Sequence, residues 1–74
     1  MKAITEPTIR FDNVETGKVV KAAREAAGKT QKEVAKAMGV SAMFLCDLEF
    51  GRRNWTEARF AAAEKAIEGE AVAA

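Results

Sequence analysis

Seventy-four residues leave room for one domain, whose core yields roughly a few kcal/mol of net stability unless a second subunit reinforces it, so a homodimer is expected. Twelve Lys and Arg against eleven Asp and Glu give a net charge of +1, too little to announce a nucleic-acid partner by composition alone. The lone Cys46 and the lack of histidine exclude an internal disulfide and a Cys/His metal site, and without tyrosine or a glycine-rich phosphate loop neither a cofactor nor enzyme activity is expected.

Residues 1–15 hold Pro7, the β-branched Ile4, Thr5, Thr8 and Ile9, and no helical apolar stripe, which predicts an extended arm or short strand. Two readings of it stand open: a tail with Phe11 tucked against the domain, or an arm that meets a second subunit or DNA. From Thr16 to Ala27, Val19, Val20, Ala23, Ala26 and Ala27 recur at helical spacing and predict helix 1, which Gly28 stops. Thr30 with Glu33 three residues later is a capping-box pattern, so helix 2 spans Gln31 to Met38, with Val34, Ala35 and Met38 inward. Gly39 turns the chain sharply. Ser41 is a favoured N-cap for helix 3, Ala42 to Phe50, with Val40 and Leu45 as its hydrophobic staple and Leu45 and Leu48 inward.

Gly51 closes that helix, and Arg52, Arg53 and Asn54 form a polar loop. Thr56 caps helix 4, Glu57 to Glu68, with Trp55 and Phe60 placed as its staple. The tryptophan could otherwise stack on a sugar or fill a dimer seam. Phe60, Ala63, Ala66 and Ile67 line helix 4, and residues 69–74 read as a frayed tail. The expectation is an all-α bundle over residues 16–68 between an N-terminal arm and a C-terminal tail. No apolar run approaches the about 20 residues that span a bilayer, and the N-terminus lacks a signal-peptide layout, so the cytoplasm is the expected compartment.

Charge distribution is more telling than its sum. Lys29, Lys32, Lys36, Arg52 and Arg53 bracket one central segment, whereas Glu57, Glu64, Glu68 and Glu70 crowd the C-terminal quarter. Gln31, Ala35, Gly39, Val40, Leu45 and Leu48 stand at the offsets of a helix-turn-helix, in which a small residue lets two helices cross closely and a glycine makes the turn. The second helix of such a pair fits a major groove about 12 Å wide.

The run GKTQKEVAKAMGVSAMFLCDLEFGRRNW resembles the Xre/Cro-type, lambda-repressor-like helix-turn-helix regulators of phages and bacteria, a likeness covering Val19 to about Ile67. The resemblance implies sequence-specific binding of double-stranded DNA, with repression as the expected outcome and an antitoxin-like or protein-interaction role on the same fold as the alternative. It also implies an internal ion pair between Arg24 and Glu49. Gln31 would meet a phosphate at the start of helix 2 with Lys29 and Lys32 beside it, while Ser41, Arg52, Arg53 and Asn54 lie where backbone contacts are made. Ala42, Met43, Cys46 and Asp47 match the groove-facing positions. This face departs from many relatives, which carry Gln, Ser, Arg or Asn there. Ala and Met can touch a thymine methyl and an aspartate can accept from cytosine N4, but Asp47 could equally pair with Arg52 or Arg53. Phe44 is open between core packing and a wedge against the backbone wall.

Overall fold

The computed structural model describes residues 12–73, and the expectations for residues 1–11, including the arm-or-strand alternatives and the packing of Phe11, lie outside them. The described residues form four helices and no strand: α1 (Asn13–Ala26), α2 (Gln31–Met38), α3 (Ala42–Glu49) and α4 (Glu57–Ala73).

Two helix limits differ from the sequence expectation by more than one residue, while α1 ends at Ala26 and α3 at Glu49, each one residue short of it. Helix α1 starts three residues before Thr16, because Asp12 is an extended N-cap whose carboxylate accepts the Glu15 N–H at 3.0 Å. β-branched Val14 and Thr16 next to Gly17 weaken the local helical signal, while a good cap overrides it. At the other end α4 runs through Gly69 to Ala73 instead of stopping at Glu68. Gly69 does not take a positive φ, and the flanking Ala and Glu are strong helix formers.

The other ends follow the expected chemistry. Thr30 and Glu33 complete the capping box, with Thr30 N–H donating to Glu33 at 2.8 Å and Glu33 N–H to Thr30 at 3.0 Å. Ser41 accepts the Phe44 N–H, and Thr56 the Arg59 N–H, each three residues into its helix. Helix α2 ends in paired bonds, Val40 N–H to Ala35 and Gly39 N–H to Lys36. Gly39 sits at φ 80° there, a left-handed conformation that costs other residues free energy. The same pair of bonds closes α1 at Lys29 and Gly28, and α3 at Arg52 and Gly51.

The core gathers Val20, Val34, Ala35, Leu45, Leu48, Trp55, Ala63 and Ala66, with Met38, Val40, Phe44, Phe60 and Ile67 packed on its edge. Each of Leu45, Leu48 and Val34 is fully buried, which contributes about 1.5–3 kcal/mol apiece. Ala35 lies buried on α2, the helix that packs against α3. Trp55 is almost wholly buried: its indole N–H donates to the Leu48 carbonyl at 3.0 Å, and its ring meets Phe60 edge-on at 6.2 Å. It is the staple of α4 and a lid on the end of α3, and its burial removes the sugar-stacking and dimer-seam alternatives.

Helix α1 is rotated from the expected stripe. It buries Gly17, Val20 and Arg24, while Val19, Ala23, Ala26 and Ala27 face outward. The cause is Gly17: a methyl group there would lie 2.6 Å from the Leu48 carbonyl oxygen and closer still to that of Glu49. Only glycine lets α1 rest backbone-to-backbone on the last turn of α3, and that contact sets which side of α1 faces in.

Candidate nucleic-acid interface

The outward side of α3 begins at the Ser41 cap and carries Ala42 and Met43, then the half-buried Cys46 and Asp47, then Phe50. Met43 is 73% and Phe50 58% exposed, one above the other two turns apart. Leu45 and Leu48 hold the opposite side in the core, so this face is fixed in direction by packing.

A buried polar network fixes it further. Arg24 grips Glu49 with two bonds, Nε to Oε2 at 2.7 Å and Nη2 to Oε1 at 3.2 Å, and its Nη1 donates to the Lys29 carbonyl at 2.8 Å. The Glu49 hydrogen bond raises the Arg24 pKa above its ordinary value, burial opposes that, and the charges of Glu49 and Glu25 add to it. Gln31 donates its amide to Glu49 Oε1 at 2.8 Å. The sequence sets Gln31 at a phosphate at the start of helix 2 and gives no sign of this contact. Residues eighteen positions apart give no local sign of meeting.

The start of α2 still faces outward. The capping box takes the N–H groups of Thr30 and Glu33, so the helix geometry leaves over those of Gln31 and Lys32. Lys32 is exposed beside them. Lys29 is directed elsewhere, its ammonium 3.4 Å from the Ala66 carbonyl of α4.

Beyond α3 the chain builds an arginine cluster. Arg52 pairs with Asp47 at 3.1 Å and Arg53 with the other oxygen of the same carboxylate at 3.7 Å. Arg52 also stacks 4.9 Å over Phe50, while Arg53 and Arg59 stack 4.5 and 5.1 Å from the centre of the Phe44 ring. Arg59 donates to the Asn54 carbonyl at 2.8 Å. Asn54 in turn accepts from Asn13, whose own side-chain oxygen accepts the Trp55 N–H, so the loop is tied to the start of α1. Arg52 and Arg53 share the one carboxylate and Arg59 brings a third positive charge, which leaves the cluster cationic. Arg59 is the member that sequence reasoning missed, since it lies fifteen residues from the ring it stacks on. Phe44 is both half-buried against the core and a platform for cations.

Among the described residues no group of three or more His, Cys, Asp or Glu is placed to hold a metal ion, and no helix is long and apolar enough to cross a membrane. Two short helices joined by the Gly39 turn, an outward face on the second and a cationic loop after it define a helix-turn-helix domain of the DNA-binding kind. Residues 20–69 match the model of the helix-turn-helix family HTH_3, and the chain belongs to that family of Xre- and lambda-repressor-like DNA-binding regulators. Neither a curated protein nor a solved structure matches the chain.

Proposed function

We propose that this protein is a sequence-specific repressor in the cytoplasm that inserts α3 into the major groove, binding as a homodimer on paired half-sites. The observation that carries the reading is the exposed, packing-fixed face of α3 with the cationic Arg52, Arg53 and Arg59 cluster at its end. One such module touches few base pairs, so useful affinity calls for two half-sites about one helical turn apart.

In this reading Ala42, Met43 and Cys46 meet base edges, chiefly thymine methyl groups and groove shape. Asp47 orients rather than reads, because its two oxygens already hold Arg52 and Arg53. Phosphates meet Arg52, Arg53, Arg59, Asn54 and the Ser41 turn on one side of the groove, and Lys32 with the Gln31 N–H on the other. Gln31 contributes its backbone and not its amide, and Lys29 contributes least. Stacking on Phe44 holds the two arginines extended before DNA arrives, which lowers the entropy lost on contact.

Selection from a pool of randomised duplexes at about 50 mM salt tests this. An enriched motif with two related halves is expected. If no duplex is retained even at low salt, the regulator reading fails and a protein-interaction role takes its place.

A further inference from the structure

The outward stripe of α1 leaves a groove against α4. Val19, Val20 and Ala23 form one wall, Phe60 and Ile67 the other, around a cavity of about 150 Å³. Val19 stands 54% exposed on its rim. None of the described lining residues comes from α2 or α3, so the groove is separate from the face proposed to meet DNA.

Its ionisable lining is of one sign. Among the described residues, Glu64 and Glu68 are the only charged ones that line it, both are exposed, and neither carries an ion pair there. They stand four residues apart on α4, one turn and about 6 Å along the axis. An apolar floor beside a single acidic edge at helical spacing is the complement of a helix with an apolar ridge and Lys or Arg at matching i, i+4 positions.

We propose that this α1–α4 groove docks a basic amphipathic helix of another protein. Apolar side chains of that helix fill the cavity between Val19, Ala23, Phe60 and Ile67, and its cations meet Glu64 and Glu68. A second copy of the same groove is a poor occupant. A two-fold contact presents each copy with the surface it already has, and the α1 wall of Val19, Val20 and Ala23 carries no cation to answer the glutamates. The groove therefore suits a heterologous partner that can sit on the domain while α3 is engaged.

Reciprocal charge exchange tests the proposal. The probes are a synthetic helical peptide with a leucine ridge flanked by lysines at i, i+4 spacing, and its counterpart with every lysine replaced by glutamate. Amide chemical shifts of the full chain are followed by NMR. The lysine peptide is expected to shift Val19, Val20, Ala23, Phe60 and Ile67 and to leave Met43 and Cys46 unmoved. In the Glu64→Lys, Glu68→Lys chain the preference reverses, each peptide changing affinity by about three- to tenfold for two exposed ion pairs. Circular dichroism checks that the exchanged chain keeps its helix content; if it does not, Glu64→Gln with Glu68→Gln replaces it, and the advantage of the lysine peptide should vanish. Perturbations outside the groove, or a preference that ignores the charge change, overturn the proposal. So does a self-association that Val19→Glu abolishes, which would make this face the dimer contact.

Discussion

Glu49 is 5% exposed and accepts from Arg24 twice and from Gln31 once, so its charge is desolvated yet answered on each oxygen. Such a pair adds little over an apolar equivalent, but removing one partner strands the other charge in the interior. Glu49→Gln keeps the shape and leaves the Arg24 guanidinium without its counter-charge. The expected loss is about 3–5 kcal/mol, comparable with the whole stability of so small a domain, read as a fall in the urea midpoint. A variant as stable as the parent would show that the network is decorative. The pair itself was legible only through resemblance to a family. The Gln31–Glu49 bond was not legible for a physical reason: local rules draw an exposed-looking polar residue at a helix start to phosphate, while a buried carboxylate from another helix supplies a dry acceptor that those rules cannot see.

Glycine separates what sequence shows about an element from what it hides. Gly28, Gly39 and Gly51 end helices as their positions foretell, because a stop signal is local. Gly17 is invisible to the same reasoning, since its function lies in the α1–α3 contact and not in its own backbone. The same substitution should therefore act with opposite sign at two helical glycines. Gly17→Ala drives a methyl group into the carbonyls of Leu48 and Glu49, and overpacking of this kind costs about 1–3 kcal/mol. Gly69→Ala meets only the Lys65 Cγ at 3.2 Å, the flexible part of a long side chain, and gains about 0.5–1 kcal/mol of helix propensity in α4. Thermal melts of the two variants should move in opposite directions. If Gly17→Ala is neutral, the close approach that rotates α1 is wrong. That rotation also explains why Val20 alone of the expected α1 stripe enters the core: periodicity identifies the helix, but Val19 and Val20 are equally apolar, and only the glycine seat decides between them.

At the scale of the whole molecule, a net charge of +1 conceals a separation of charge. Arg52, Arg53 and Arg59 gather at the end of α3, while Glu64 and Glu68 line the groove between α1 and α4. In the proposed reading the electrostatic part of DNA binding then depends on a few arginines rather than on overall basicity. Each phosphate neutralised contributes about 0.9 to the slope of log K against log salt. Arg52→Ala with Arg53→Ala should weaken binding to every duplex and flatten that slope by about 2. Arg59→Ala should act in the same sense by about 1, although it lies on a different helix. Met43→Ala carries no charge and should leave the slope alone while changing discrimination at one base pair by about 1 kcal/mol. The comparison is made by fluorescence anisotropy on the selected duplex and a scrambled one, from about 50 to 200 mM salt. Arginine variants that alter ranking without altering slope, or a Met43 variant that does the reverse, would exchange the two roles and move the reading face off α3.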